Sequence, residues 1–213
     1  MGARTRHPMK IDGLKQLRTL SKSIRAIPEA STRAAYRAVN AVTGKVVTQS
    51  RRDIAAQVNL PQSYIRDQTR VTTATSKQPV AYIRMRMRAV RMARFDARQL
   101  TVPAARAKGD ARRGIGAGRK QAGVSVKIGR SGGRTSSTKG FLIPLRAGKV
   151  DGGNGFGLFV RTGPGKDDIK HKYGPSPDQL FRRWKSEAAP DIKAMLAEAY
   201  ASQLRYELKG SRK

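Results

Sequence analysis

Cysteine is absent from this 213-residue chain, which excludes disulfides and thiolate metal sites. Only two histidines occur, His7 and His171. They lie far apart without an HExxH spacing, so each reads as a surface residue and no metal site is expected. No stretch approaches the roughly 18 apolar residues of a bilayer span. No apolar segment follows Arg4, Arg6 and Lys10, so a signal peptide is not expected either. A protein made in the cytoplasm, soluble and without a membrane partner, is the expectation. Aromatic residues are 6% of the chain, too few for interleaved base-stacking platforms. Acids are scarcer than bases: 14 Asp and Glu stand against 45 Lys and Arg, a formal net charge of +31. Hydrophobic residues are only 38%, so the core should be thin and burial between copies of the chain a natural supplement.

Such a charge points to partners rather than to a fold. Nucleic acid is the first candidate polyanion, and acidic protein surfaces are the second. The excess is localised. From Ser176 to Leu208 five bases face five acids, whereas from Arg84 to Arg134 fifteen bases face only Asp96 and Asp110. One end therefore reads as a protein-facing helix, and the middle reads as an anion-facing surface.

The periodicity changes twice along the chain. Leu14, Leu17, Leu20, Ile24 and Ile27 recur at helical steps and predict a first amphipathic helix. Pro28 suits the first turn of a second, Ala-rich helix, with Ala34 or Ala35, Ala38, Val42, Val46 and Ile54 near one face. Asn59-Leu60-Pro61 ends it, and Pro61 can start a short helix to about Asp67. Over Val80–Arg88 the period becomes two: Ala81, Ile83, Met85 and Met87 alternate with Tyr82, Arg84, Arg86 and Arg88. Further strands are predicted over Ala97–Val102, Val124–Ile128, Phe141–Leu145 and Leu158–Arg161, the last two as a hairpin with a glycine-rich tip. Ala104–Gly123 combines Lys108, Arg112, Arg113, Arg119 and Lys120 with interspersed glycines, and a mobile basic loop is expected there. Helical spacing returns with Leu180, Phe181, Trp184, Ala188, Ile192 and Leu196 after a Ser176-Pro177 start. Pro190 should kink or restart that helix. Phe181, Trp184 and Ile192 are the expected core and assembly residues of this helix.

Catalytic constellations are missing. There is no GxxxxGK[ST], since Gly165-Lys166 is followed by Asp167, and no GxSxG. Asp167-Asp168 near His171 is the one cluster with a nuclease flavour, yet it sits in a single Gly/Pro-rich loop. Metal-dependent nucleases gather carboxylates from several elements. No cofactor and no catalytic residue is therefore assigned. Arg84, Arg86 and Arg88 would project from one strand face at steps of about 7 Å. One reading makes them charges guarding a strand edge. The other makes them guanidinium contacts to phosphate or carboxylate, and the run of three favours it. With Arg112, Arg113, Arg119 and Lys120 they form the candidate DNA or acidic-partner contact.

The order of these elements resembles a known family. Ala35-Tyr36-Arg37-Ala38-Val39-Asn40 continues through Thr48-Gln49-Ser50 to Ile54-Ala55, and Ala81-Tyr82-Ile83-Arg84-Met85 follows. Gly140-Phe141-Leu142-Ile143, Leu158-Phe159-Val160-Arg161-Thr162-Gly163, Gly165-Lys166 and the turn Tyr173-Gly174-Pro175-Ser176 complete the series. From Leu14 to Leu208 this is similar to the minor tail protein Z, or tail completion, family of long-tailed bacteriophages and prophages. The resemblance implies a non-enzymatic virion protein at the head-proximal end of the tail, the neck. There it would complete the tail for head joining and DNA passage, beside the tail terminator and head–tail connector proteins, as a homo-oligomer and by family symmetry a hexameric ring. Nothing residue-specific carries over to Arg106–Arg134.

The expected fold is α+β: N-terminal helices over 1–74, a basic, mostly antiparallel sheet region over 75–175, and a C-terminal helix over 176–213 packed on the sheet. The expected place is the virion, after assembly in the host cytoplasm. A cellular nucleic-acid-binding protein of ribosomal or nucleoid type is the alternative. A magnitude limits the use of charge. Six subunits would carry six times +31, or +186. A subunit about 40 Å across faces only about 24 phosphates of duplex DNA at one per ~1.7 Å. Most of the charge must then meet acidic partners or solvent.

Overall fold

A computed structural model describes residues 9–12, 28–145 and 155–210. The helix expected over Leu14–Ile27 and most of the glycine-rich hairpin tip lie outside the described residues. The elements follow in the order β1 (Met9–Asp12), α1 (Pro28–Gln57), α2 (Gln62–Asp67), β2 (Thr69–Thr72), β3 (Val80–Met85), β4 (Arg98–Pro103), β5 (Arg119–Val126), β6 (Thr135–Ser137), β7 (Gly140–Pro144), β8 (Phe156–Arg161), β9 (Ile169–His171) and α3 (Pro177–Gly210). Every strand pair is antiparallel. The strands form three three-stranded sheets, β1-β3-β2, β4-β5-β6 and β7-β8-β9, instead of one. The class is α+β, as the periodicity predicts.

The chain divides into two compact units. The first comprises Met1–Asp53, Arg66–Met87 and Asp178–Lys213, and the second Ile54–Ile65 and Arg88–Pro177. In the first unit, α1 starts at Pro28, whose missing N–H costs nothing in a first turn, with Glu29 placed favourably against the helix dipole. Ala34, Ala38, Val42 and Val46 are almost wholly buried at four-residue steps. The buried hydroxyls of Thr43 and Ser50 donate to the carbonyls of Val39 and Val47, so neither is left unsatisfied.

Side-chain bonds fasten α3 along α1. Ser31 meets the Tyr200 hydroxyl at 2.9 Å, Arg33 and Arg37 both reach the buried Glu207, and the Trp184 indole donates to Asp53 Oδ2 at 3.1 Å. Early residues of α1 meet late residues of α3, so the helices run antiparallel. The start of α3 is tied to the sheet region, where the Asp178 amide donates to the Arg86 carbonyl at 3.2 Å. The helix continues through Pro190. Phe181, Trp184 and Ile192 are buried, and the Phe181 and Trp184 rings stack at 5.7 Å. Asn40, inside the Ala35–Asn40 motif, pins the backbone before β3. Its carboxamide donates to the Ala74 carbonyl at 3.0 Å and accepts from the Ala74 amide at 2.8 Å.

In the second unit one apolar cluster joins the two sheets: Val124 and Val126 of β5 meet Leu142 of β7, Leu158 of β8 and Ala93. Leu142 is thus the inward residue of its strand, while Phe141 and Ile143 on the other face remain half-buried. Gly174 lies so close to the buried Phe95 ring that a Cβ there would approach it to 2.5 Å. The glycine of the Tyr173–Ser176 turn is therefore required by packing.

The expected mobile loop at Ala104–Gly123 is corrected by the structure. β4 runs to Pro103 and β5 already begins at Arg119. Between them the Ala104 amide donates to Gly118, the Gly118 amide donates to Ala107, and Asp110 and Ile115 exchange both backbone bonds at 2.8 and 2.9 Å. A 3₁₀ turn, Ala111–Arg113, closes on Gly114 in the left-handed region. Composition suggested too little burial to order this segment. Paired backbone groups and one buried anchor, Ile115, suffice.

Candidate nucleic-acid interface

The first sheet turns two unlike faces outward and inward. Ala81, Ile83 and Met85 of β3 are buried, whereas Arg84 is exposed and Tyr82 half-buried on the opposite face. β3 is the central strand, paired with β1 on one side and β2 on the other. Arg84 is already paired on the β2 side, so protection of that edge does not account for it.

The strand ends at Met85, three residues short of the predicted Arg88. Arg84 is on the strand and Arg86 lies just beyond it. Arg88 is exposed and lies three residues past the end of the strand, so the three arginines do not share one strand. Arg70 on β2 supplies the missing neighbour. It sits directly opposite Arg84 in the register, as Gln68 approaches Arg86. The sequence reading missed Arg70 because a four-residue strand shows too little alternation to be recognised.

The Arg84 and Arg86 guanidinium groups are oriented by neutral partners. Arg84 donates to the Thr72 hydroxyl at 3.3 Å and lies 5.1 Å from the Tyr82 ring centre. Arg86 donates to Gln68 Oε1 at 3.0 Å, and its backbone amide donates to the Gln68 carbonyl at 3.0 Å. Among the described residues no carboxylate pairs with Arg70, Arg84 or Arg86. Neutral contacts hold the Arg84 and Arg86 side chains while leaving their charge uncompensated, which is the arrangement that meets an anion.

The second unit carries the other predicted contacts on and beside its first hairpin. Arg112 and Lys120 are exposed, and Arg119 is fastened to Thr101 through its hydroxyl at 2.7 Å and its carbonyl at 3.2 Å. Arg113 differs, since its Nε pairs with Asp110 at 3.2 Å. Asp96, with φ of 46°, takes Arg98 at 3.2 Å and Arg134 in a shorter contact. The hydrogen bond from Arg134 leads the causes that hold the Asp96 carboxyl below its usual range, and Arg98 adds to it.

Of the two carboxylates with a nuclease flavour, Asp168 has structural work. Asp168 accepts the Gly165 amide at 2.8 Å and closes the β8–β9 turn. His171 stacks between Phe159 and Tyr173, each 4.4 Å away between ring centres, and its Nδ1 meets the Tyr173 hydroxyl at 3.0 Å. Burial, with Arg91 as a smaller cause, holds its pKa below the usual value. Among the described residues no group of three or more His, Asp or Glu is placed to hold a metal ion, and no helix is long and apolar enough to cross a membrane.

No curated protein and no solved structure matches the chain. The family model described as prophage minor tail protein Z (GPZ) matches residues 11–212, nearly the whole length. With its α+β order of helix, antiparallel strands and terminal helix, the chain belongs to the prophage minor tail protein Z family.

Proposed function

We propose that the chain is a non-enzymatic structural protein of the phage tail, located in the virion at the head-proximal end, where it completes the tail for head joining and DNA passage. In this reading copies form a hexameric ring between the tail terminator and the head–tail connector proteins. The carrying observation is the exposed face with Arg70 opposite Arg84 and Arg86 beside them, uncompensated by any described carboxylate. The second unit carries exposed bases of its own, Arg88, Arg112, Arg119 and Lys120. DNA contact on such a surface is made through phosphates and is sequence-independent.

A map of the virion neck by electron cryo-microscopy tests the position and the copy number together. Six copies at the junction of tail and head are expected, and their absence from the junction removes the proposed role. Virions carrying Arg70→Glu, Arg84→Glu and Arg86→Glu should lose infectivity while the isolated subunit still folds. Full infectivity of that triple variant overturns the arginine face as the DNA or acidic-partner contact.

A further inference from the structure

The second unit holds a cleft of about 550 Å3 lined by residues of that unit alone. Three cations line it from three distant segments: Arg113 of the 3₁₀ turn, Lys139 before β7, and Arg161 at the end of β8. Thr138 and Thr162 bring hydroxyls, and Phe141 forms a flat wall. No acidic side chain is among the residues lining it.

The cations are positioned by groups that leave most of their charge in place. Arg161 donates to the Gly165 carbonyl at 2.8 Å and lies 5.8 Å over the Phe141 ring. Arg113 Nη1 donates to Gln121 Oε1 at 3.2 Å, and Gln121 in turn donates to the Gly140 carbonyl. Asp110 takes the Nε of Arg113 from outside the lining, and Asp168 is occupied by the Gly165 amide. Lys139 is exposed and has no ion pair among the described residues. Gathering three like charges is unfavourable until an anion joins them. Two guanidinium groups, one ammonium and two hydroxyls offer more donors than the two oxygens of a single carboxylate accept. The cleft is also larger than one oxyanion, which suits a chain of them.

We infer that this cleft holds consecutive phosphates of a nucleic-acid backbone, an assignment that rests on the DNA-contact part of the proposed function. The cleft adds Lys139 and Arg161, which the linear sequence does not group with any other base. Arg113 is the one member already expected to meet an anion.

The test is the salt dependence of binding between the full chain and a short labelled DNA duplex. Each phosphate contact contributes a slope of about 0.9 in log K against log salt. Lys139→Gln should reduce the slope by about 0.9, and Lys139→Gln with Arg161→Gln by about 1.8. Lys139→Arg should keep it, because the charge remains. Lys139 has no side-chain bond to lose among the described residues, so the single variant reads charge even if Arg161→Gln disturbs the turn. An unchanged slope in Lys139→Gln overturns the cleft while leaving the tail role standing. Failure of the unaltered protein to bind duplex overturns the cleft and the DNA contact together, but not the neck position. Polyglutamate bound as tightly as duplex, with the same sensitivity to Lys139→Gln, assigns the cleft to an acidic protein and overturns the phosphate reading.

Discussion

Arg70 on β2 lies directly across the antiparallel pair from Arg84 on β3, and both side chains are exposed. Like charges in this relationship destabilise a sheet, by an amount comparable to the roughly 0.2–1 kcal/mol that favourable cross-strand pairs contribute. A fold that keeps such a pair keeps it at a cost in stability. An anion bound between the two arginines reverses the sign.

That reversal makes the pair testable. Arg70→Gln should stabilise the isolated subunit by a few tenths of a kcal/mol, up to about 1 kcal/mol. In a chain of this length that is a rise in melting temperature of about 1–4 °C. The same variant should bind duplex DNA more weakly and with a shallower salt dependence. Thermal melting and a salt titration on one preparation check both signs. A fall in melting temperature without a change in DNA affinity would mean that the arginine supports the sheet itself.

A second prediction concerns the helix pair. Trp184 is buried against the Phe181 ring and bonded to Asp53, 131 residues earlier. Trp184→Ala should cost about 3–5 kcal/mol, as truncation of a buried aromatic does. Trp184→Phe keeps much of the packing and loses the indole donor, so a cost of about 1.5 kcal/mol is expected from a bond to a charged group. Urea unfolding of the three proteins should rank them in that order. Equal midpoints for Trp184→Phe and Trp184→Ala would mean that the bond to Asp53, and not the packing, dominates.

Acid should weaken the fold in two separate windows. His171 is held below its ordinary pKa, chiefly by burial, and its buried Nε2 has no hydrogen-bond partner among the described residues. The unfolded chain therefore takes up the proton first. Stability falls as pH drops below about 6.5, the unfolded value, until the lower folded value is passed. Asp96 is also depressed, by the Arg134 hydrogen bond first. Its contribution is complete above about pH 4 and is lost as pH falls through the folded value. His171→Gln should flatten the limb of the stability profile that begins below about pH 6.5. Asp96→Asn, which tolerates the left-handed backbone of that position, should flatten only the more acidic limb. Denaturant midpoints across pH separate the two.

Much of the secondary structure is legible because its causes are local. Pro28 and Pro177 mark helix starts, four-residue steps of Ala and Val mark the buried face of α1, and the alternation over Val80–Arg88 marks β3, which stops at Met85. Each depends on residues a few positions apart, and each element begins where its pattern places it. The concentration of bases in the middle of the chain is likewise a property of the sequence alone.

Tertiary structure decides what those local patterns meet. β1, β2, β6 and β9 are three or four residues long, too short to carry a readable period, and they exist because a neighbouring strand offers paired backbone groups. They make β3 a central strand and bring Arg70 opposite Arg84. The basic segment after β4 looks like a loop by composition, yet the Asp110–Ile115 pairing and the burial of Ile115 order it. Asn40 on Ala74, Asp53 on Trp184, and the convergence of Arg113, Lys139 and Arg161 all join residues that lie far apart in the chain. Their charges and hydrogen-bonding groups are written in the sequence. Which of them come within bonding distance is set by the long-range backbone pairing that folds the strands and helices together.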